Sequence, residues 1–416
     1  MPDSNARMLT RVSALALLFL LGTAPHRAPQ TIGTFRLHVP AGSYFAGSRV
    51  RVAAEGVSGP YSLAILGPGS IDRDAFVAPF VNRPVWTTVV GASSSAVAYA
   101  AIRTVPPPAS GHVIAVATYR GGIALHDERT FAPLGNFAIL GAPADVTFLP
   151  NGSFVTSDTD GDTLTRIGRR PWSITNVSGV DSGNEIAADA AGNVFVSDRD
   201  IQGQGALTRV TPDGTVTRVT TGVTAEGIAL DSVRHIAYVS NVNDKSIAAV
   251  DTQSMRVLQK IPAPERPFGI ALDERGRRLY VVSNVSPSMT PGGGFVAEIA
   301  LDTSAPHVVM RSANLKFPLG VAFDARTRRV FVTDEAADVV YVLNAATLRP
   351  ARTPLQTCST PWRPRVSGGR LYVPCAGEDR VDVFSLASLS RVRGAPFPTS
   401  GYPLSVATWH LSLIHI

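Results

Sequence analysis

Short apolar or alternating runs, separated by turns rich in Gly, Pro and Asp, fill most of this chain of 416 residues. One four-residue pattern recurs, with an aromatic residue, valine, a hydroxyl residue and Asp or Asn, as in Phe195–Asp198, Tyr238–Asn241 and Phe331–Asp334. The hydroxyl position returns at Thr118, Ser157, Ser197, Ser240, Ser283 and Thr333, and Pro374 takes that place in a seventh unit. A period of about 42 residues with several short strands predicts the four-stranded blades of a β-propeller.

Each unit repeats the same order of strands. A first strand opens with Pro-x-Gly and ends at an acid, as in Pro267–Asp273 and Pro318–Asp324, and the recurring pattern forms the second strand. A third strand and a more polar fourth strand follow. The first strands are the smallest and most apolar, which is expected of strands that surround the axis and are buried on both faces.

The two ends of the series complement one another. The first unit begins directly with a second strand, Val113–Thr118, whereas an extra first strand, Pro403–Thr408, follows the seventh unit. We therefore predict an all-β, seven-bladed β-propeller over residues 111–409, in which the C-terminal strand completes the first blade and removes exposed sheet edges. An open array that has lost an eighth blade is the alternative.

The remaining segments lie outside this repeat. Residues 31–104 contain short strand-like runs that predict a small immunoglobulin-like β-sandwich, and residues 105–110 form a Pro-rich linker. Arg7 and Arg11 precede the apolar run Val12–Leu21, so residues 1–30 are interpreted as a signal peptide or N-terminal anchor. Residues 410–416 do not continue the pattern and are interpreted as a non-native tail.

Composition narrows the function classes. The net charge is +6, but only three of the 38 basic residues are lysines and the arginines are scattered, which argues against a nucleic-acid partner. Cys358 and Cys375 are the only cysteines, and between them two strands are predicted, Pro361–Val366 and Arg370–Pro374, whose antiparallel pairing brings Cys375 near residue 361. A disulfide suits an exported protein, and a pair of small buried apolar residues is the alternative. We expect a monomer that is periplasmic, on the cell surface or secreted.

The Tyr-Val-Thr-Asn-like pattern, the Pro-x-Gly first strand and their spacing resemble the YVTN-repeat family of bacterial β-propellers over about residues 110–408. The first and seventh units depart from the pattern at Thr118–Tyr119 and Pro374–Cys375. The resemblance implies an exported propeller of the surface-layer or periplasmic type and similarity to propellers that act as binding platforms. It implies no shared catalytic residues.

Three acids break the repeat. Asp145 and Glu185 stand where other units carry the Gly of Pro-x-Gly, and Glu226 stands one position earlier in its unit. They belong to adjacent blades and are expected near the mouth of the central channel. Clustered carboxylates suit Ca²⁺ or a cationic ligand. They are the speculative metal ligands of this chain, and Ca²⁺ is the one cofactor that the sequence suggests.

Other candidate binding residues lie on the same predicted face. Asp158 and Asp198, with equivalents in other units, would form a ring of oxygen ligands, or would only turn the chain at strand ends through bonds to their own backbone. Being part of the repeat, they fit the structural role better. Trp362 and Phe268, at the beginning of first strands, would wall a pocket or serve as core aromatics.

Two functions follow from these patterns. The favoured hypothesis is an exported, non-catalytic propeller that binds a protein, a peptide or an envelope glycan at this acidic face. The alternative is a metal-dependent hydrolase or lyase, similar to propeller lactonases and streptogramin lyases, that uses Asp145, Glu185 and Glu226. No pair of histidines has a metal-binding spacing, and there is no activated Ser or Cys arrangement.

Overall fold

The computed structural model describes residues 35–410 apart from 41–42, 46–47, 58, 82, 95, 108–110, 138, 140, 170–171, 200–203, 291 and 400. The segment predicted as a signal peptide or anchor and the tail beyond residue 410 lie outside the described residues. The chain divides into two compact units between Pro107 and Pro108, within the predicted linker. Over the described ranges, no helix is long and apolar enough to cross a membrane.

The first unit consists of three small sheets around one apolar core. Its strands are β1 (Arg36–His38), β2 (Ser43–Phe45), β3 (Arg49–Arg51), β4 (Ala53–Glu55), β5 (Ser62–Leu66), β6 (Ser70–Asp72), β7 (Ala75–Val77), β8 (Val85–Ala92) and β9 (Val97–Val105). The sheets have the orders β1-β4, β3-β7-β6 and β2-β9-β8-β5, and β2 runs parallel to β9. Phe35, Val50, Phe76 and Val89 are buried at the centre of the core.

Seven four-stranded antiparallel sheets make up the described part of the second unit. Sheet 1 contains β10 (His112–Thr118), β11 (Gly122–Asp127), β12 (Pro133–Phe137) and β37 (Pro403–His410). Sheet 2 contains β13 (Pro143–Phe148), β14 (Phe154–Asp158), β15 (Thr163–Arg169) and β16 (Trp172–Ser178). Sheet 3 contains β17 (Gly183–Ala188), β18 (Val194–Asp198), β19 (Gly205–Val210) and β20 (Val216–Gly222).

The same order continues along the chain. Sheet 4 contains β21 (Ala225–Asp231), β22 (Ile236–Asn241), β23 (Ser246–Asp251) and β24 (Arg256–Pro262). Sheet 5 contains β25 (Pro267–Asp273), β26 (Arg278–Ser283), β27 (Phe295–Ala300) and β28 (His307–Arg311). Sheet 6 contains β29 (Pro318–Asp324), β30 (Arg329–Asp334), β31 (Val339–Asn344) and β32 (Leu355–Gln356). Sheet 7 contains β33 (Arg365–Ser367), β34 (Arg370–Cys375), β35 (Arg380–Ser385) and β36 (Phe397–Pro398), with a 3-10 turn at Ala376–Glu378. This repetition is that of a β-propeller-like fold.

The C-terminal strand β37 pairs with β10, so the last described strand completes the first sheet. The register runs from Val113 opposite Trp409 to Thr118 opposite Pro403. The first strands also contact one another in sequence, from β37 through β13, β17, β21, β25, β29 and β33, and β33 contacts β37 again. Both ends of the second unit are therefore joined through backbone hydrogen bonds.

The apolar core of this unit lies between neighbouring sheets. Ile247 of sheet 4 packs with Ile299 of sheet 5 in one buried cluster. Phe331 of sheet 6 packs with Leu371 of sheet 7 in another. The alternation along each strand sends side chains to both faces, and each face is covered by the next sheet. This explains why second and third strands are apolar at nearly every position.

Sheet 7 differs from the expectation for its first strand. The pattern predicts a strand over residues 361–366, but β33 covers only Arg365–Ser367, and Pro361 forms an isolated bridge with Cys375. Pro361 and Pro364 lack the N–H groups that a ladder needs, which explains the short strand. Cys358 and Cys375 are joined by a disulfide whose Cα atoms are 5.6 Å apart.

In sheets 2, 3 and 4 the recurring hydroxyl of the second strand connects to the next sheet, whereas the hydroxyls of Thr118, Ser283 and Thr333 bond within their own units. Ser157 Oγ, Ser197 Oγ and Ser240 Oγ donate to the backbone carbonyls of Asn184, Glu226 and Phe268, at 2.7, 2.5 and 2.6 Å. Each acceptor is the middle residue of the next unit's Pro-x-Gly position. We call this contact the hydroxyl latch.

A register shift in the first strand makes the latch possible. In sheet 4 the pairing of β21 with β22 is interrupted between Ala225 and Ile228, which leaves the Gly227 N–H without a ladder partner. That N–H donates to Ser240 Oγ at 2.7 Å, and the same hydroxyl donates onward to sheet 5. One side chain therefore satisfies backbone groups of two sheets.

We predict that Ser240→Ala lowers the free energy of unfolding by about 2 kcal/mol, because it leaves a buried N–H and a buried carbonyl without their partner. Urea unfolding followed by circular dichroism measures the change. The exposed Ser304 provides the control, and Ser304→Ala should be within about 0.5 kcal/mol of the wild type. Equal stability of the two variants would contradict a structural role for the latch.

Candidate functional site

The site is built at the end of the sheets where first strands begin and second strands end, which we call the entry end. Pairs such as Pro143 with Asp158, Gly183 with Asp198 and Pro318 with Asp334 lie at this end. The third residue of each first-strand opening is glycine in three sheets and polar in the other four. It is Gly227, Gly269 and Gly320 in sheets 4–6, and Ser405, Asp145, Glu185 and Arg363 in sheets 1, 2, 3 and 7.

The glycines are required by close approach of neighbouring first strands. A Cβ atom on Gly227 would lie 2.5 Å from the Phe268 carbonyl oxygen, and one on Gly269 would lie 2.7 Å from the Leu319 carbonyl oxygen. These distances are too short for real Cβ contacts. Where the third residue carries a polar side chain instead, the side chains bond to one another across the entry end.

Arg363 lies at the centre of the polar side chains on sheets 1, 2, 3 and 7, which we call the polar half of the entry end. Its guanidinium donates to the Ala144 carbonyl at 3.0 Å and to Asn184 Oδ1 at 2.6 Å, and its Nε lies 2.7 Å from Glu185 Oε1. These contacts connect sheet 7 with sheets 2 and 3. The Arg363 side chain is only 7% exposed, so its buried positive charge is stabilised mainly by the ion pair with the carboxylate of Glu185.

The other two acids also have protein partners. Asp145 Oδ1 accepts from Ser405 Oγ and lies 3.5 Å from Arg365 Nη2, while its Oδ2 accepts from the Ile186 N–H at 2.9 Å. Glu226 Oε1 lies 2.5 Å from Arg199 Nη2. The second oxygen of Glu226 accepts from Asn184 Nδ2.

These pairings bear on the suggested calcium site. Over the described ranges, the one group of three His, Cys, Asp or Glu side chains with ligand atoms within 4.8 Å is Cys358, Cys375 and Asp382. Both cysteines belong to the disulfide. Asp145, Glu185 and Glu226 thus do not converge into a ligand cluster, because arginines and N–H donors hold each carboxylate separately.

Glu185 has the most perturbed environment of the three. Burial raises the pKa of its carboxyl above the ordinary value, and the nearby charge of Asp145 adds to the shift. Arg363 and the hydrogen bond from the Ile228 N–H, at 3.1 Å, oppose this increase in pKa. Glu185 therefore holds its proton to a higher pH than an exposed glutamate does.

Asp158 and Asp198 are fully buried and bind backbone at the strand ends. Asp158 Oδ1 accepts from the Ala142 N–H at 2.7 Å and from the Asp160 N–H at 3.1 Å. Asp198 Oδ2 accepts from the Asp181 N–H at 3.2 Å. Neither residue lines the cavity described next, and these contacts favour the structural interpretation over a ring of ligands.

A cavity of about 320 Å³ opens at the entry end between sheets 7, 1, 2 and 3. Its apolar wall contains three aromatic side chains and one leucine: Tyr119, Trp362, Tyr402 and Leu404. Arg363 lies beneath, with its guanidinium carbon 5.6 Å from the centre of the Trp362 ring. Aromatic faces beside hydrogen-bonding groups are typical of sites for polar organic ligands.

The polar wall of the cavity contains Asp160, Asn184, Arg199 and Arg363. Arg199 is the accessible cation among them, with 38% of its side chain exposed. Asp160 lies at the exposed rim and accepts from the Tyr119 hydroxyl at 3.4 Å. The cavity therefore combines one accessible guanidinium with one rim carboxylate.

Closure of sheet 1 positions the two tyrosines. The Tyr119 N–H donates to the Tyr402 carbonyl at 3.0 Å, and the Arg120 N–H donates to the Gly401 carbonyl at 2.7 Å. The Tyr402 N–H donates to Asp379 Oδ1 at 2.7 Å. Two residues that are far apart in the chain thus reach the same wall because β37 pairs with β10.

Trp362 and Phe268 belong to one apolar cluster on the opposite half of the entry end. Val242, Phe268 and Leu319 are buried together there, and Trp362 packs partly against them. Trp362 also lines the cavity, whereas Phe268 does not. Trp362 therefore lies between the apolar half of the entry end, on sheets 4–6, and the polar half.

Sequence reasoning missed Arg363, Arg199, Asn184 and both tyrosines. Alignment of the first-strand openings already contained one signal, because Arg363 occupies the same third position as Asp145 and Glu185. Arg199 directly follows the second strand of its unit, a position without a repeat pattern. No pattern identifies Tyr119 or Tyr402, which depend on the closure of sheet 1.

No protein-family model matches the chain, and no curated protein matches it. Solved structures share its fold. A functionally unknown protein from Desulfotomaculum acetoxidans DSM 771 has a TM-score of 0.58 and 14% identity over 72% of this chain and 99% of its own. The periplasmic gluconolactonase PpgL of Pseudomonas aeruginosa has a TM-score of 0.57 and 16% identity over 72% and 99%. Virginiamycin B lyase from Staphylococcus aureus has a TM-score of 0.50 and 12% identity over 62% and 84%. At these identities the likeness establishes a β-propeller-like fold alone.

We predict that Arg363→Met lowers the free energy of unfolding by about 3–5 kcal/mol, because Glu185 and Asn184 lose a buried charged donor. Denaturant unfolding measures the loss. Arg349→Met, at an exposed arginine, is the control and should change stability by less than about 1 kcal/mol. A similarly small effect at Arg363 would show that it does not hold the polar half together.

The raised pKa of Glu185 predicts that the free energy of unfolding decreases as the pH rises. Its folded-state pKa is raised, so the stability it contributes is complete below the ordinary value of 4.5 and is lost as pH rises through the raised pKa. The stability of the wild type relative to Glu185→Gln should therefore decrease as the pH is raised above the ordinary value of 4.5. Unfolding of both proteins over a series of pH values measures the difference. A relative stability that increases with pH would refute the raised pKa.

Proposed function

We propose that this protein is an exported, seven-bladed β-propeller of the YVTN-repeat type that binds a polar ligand in the entry-end cavity without converting it. The ligand belongs to an envelope glycan, a peptide or a protein. The first unit is an immunoglobulin-like spacer or second contact in this proposal. The main support for this proposal is the cavity of about 320 Å³, which is lined by three aromatic side chains and two arginines.

The size and chemistry of the cavity support a binding role. Pockets for small organic ligands begin at about 300 Å³ and combine apolar walls with a few polar groups. Tyr119, Trp362 and Tyr402 supply flat surfaces for stacking, and Arg199 and Asn184 supply polar groups. Arg363 closes the polar half beneath the ligand through its contacts with sheets 2 and 3.

Support for the seven blades and for export comes from separate observations. The seven sheets and the closed series of first-strand contacts fit a ring of seven blades. The disulfide between Cys358 and Cys375 suits an oxidising compartment, as the basic and apolar N-terminal sequence suggests.

The alternative function, a metal-dependent hydrolase or lyase, has less support. It would need Asp145, Glu185 and Glu226 to exchange their present donors for a metal ion. Each such exchange would leave the buried Arg363, the Ile186 N–H or the Asn184 amide N–H without its partner. The solved structures named as a lactonase and a lyase contribute only fold similarity to this alternative.

We predict that soluble muropeptides, disaccharides or tripeptides quench tryptophan fluorescence on binding, and that Trp362→Ala weakens the affinity at least about tenfold by removing a stacking wall. Titration calorimetry gives the affinities. Trp86→Ala is the matched control, since Trp86 is 57% exposed and lies in the first unit.

Three outcomes would contradict the proposal. Absence of binding by all three probe classes would argue against the cavity as a site. Equal affinities of the wild type and Trp362→Ala would place binding elsewhere. Mass spectrometry that finds cleaved or eliminated products, abolished by a chelator, would replace binding with the metal-dependent alternative.

A further inference from the structure

Among the side chains that line the cavity, the buried polar atoms without a hydrogen-bond partner are N–H donors. The indole Nε1 of Trp362 and the Nε of Arg199 are shielded from solvent and have no hydrogen-bond partner in the described part of the chain. Both residues line the same cavity. A buried donor without an acceptor is unfavourable, so a bound group that supplies acceptors would be stabilised there.

Several acceptors of the lining are satisfied by protein donors. Asn184 Oδ1 accepts from Arg363, and Asp160 Oδ2 accepts from the Tyr119 hydroxyl. The Thr159 carbonyl accepts from the Ser182 hydroxyl at 3.0 Å, whereas the hydroxyl oxygens of Thr159 and Ser182 keep their acceptor lone pairs. Ligand donors would thus find acceptors at these hydroxyls and at Asp160, but the shielded groups of the lining that lack a partner are N–H donors.

Charge restricts the class of acceptor further. The Arg199 guanidinium is the accessible cation, and its Nη2 is already bound to Glu226. A guanidinium presents a planar fork of N–H groups that matches a carboxylate. Asp160 at the rim and Glu226 behind Arg199 each add a negative charge, which disfavours a dianionic phosphate ester over a monoanionic carboxylate.

We propose that the ligand carries a carboxylate, which accepts from the Arg199 guanidinium and the Trp362 indole N–H, and that its body lies against Tyr119 and Tyr402. This assignment rests on the proposed binding function and specifies its ligand class. A sugar acid and the C-terminal carboxylate of a peptide share this chemistry. Arg199 and Trp362 are the specificity-determining residues.

Paired probes separate the carboxylate from the rest of the ligand. One pair is N-acetylmuramic acid and N-acetylglucosamine, and the other is a tripeptide with a free C-terminal carboxylate and its C-terminal amide. We expect at least one acid to bind about tenfold or more tightly than its neutral partner in calorimetry, because charged hydrogen bonds discriminate to that extent. Whichever pair shows the preference identifies the source of the carboxylate.

Two conservative variants test the assigned donors. Trp362→Phe keeps the aromatic wall and removes the N–H, and Arg199→Lys keeps the charge opposite Glu226 and removes the fork. Each should reduce the preference for the acid by about fivefold and leave the affinity for the neutral partner unchanged. Trp86→Phe, at the exposed tryptophan, should reproduce the wild type.

The failures of the two proposals can be told apart. Equal binding of acid and neutral partner, still weakened by Trp362→Ala, would overturn the carboxylate and leave the binding function intact. Tighter binding of glucose 6-phosphate than of either acid would also overturn it. An acid preference that both conservative variants retain would show that other groups provide it, and lack of binding by every probe would overturn both proposals.

Discussion

The hydroxyl latch fixes how sheets 2, 3, 4 and 5 follow one another. A first strand has backbone ladder bonds to one neighbour, its own second strand, and a register shift frees further backbone groups at its opening. Ser157, Ser197 and Ser240 satisfy the freed carbonyls of the following sheets and so hold neighbouring first strands at a fixed separation. Apolar packing between sheets is not directional, and this polar contact adds the missing direction.

The third position of the first-strand opening divides the entry end into two halves. On sheets 4–6 the first strands approach so closely that only glycine fits at the third position, as the distance from a Gly227 Cβ to the Phe268 carbonyl shows. On the other sheets, Arg363, Glu185 and Asp145 fill that position and pair across the ring or with a neighbouring arginine. The cavity lies above this polar half, where aromatic and cationic side chains meet.

The sequence indicated which residues depart from the repeat, but it did not indicate what those residues bind. The carboxylates of Asp145 and Glu185 suggested a cation site, because their partners are remote in the chain. Arg363 lies 179 residues from Asn184, and Ser405 lies 260 residues from Asp145. A local pattern cannot show that a guanidinium from sheet 7 reaches sheet 3, so the acids looked unpaired.

By itself, the sequence determined the period and the strand order, because these depend on local alternation and turn residues, and a count of strands predicted which two strands join the ends of the second unit. Only the tertiary structure decided which charged side chains form ion pairs and which side chains line the same wall of the cavity. Tyr119 and Tyr402 become neighbours only when β37 pairs with β10. Contacts of that kind depend on ring closure, which brings together residues whose separation along the chain exceeds any repeat.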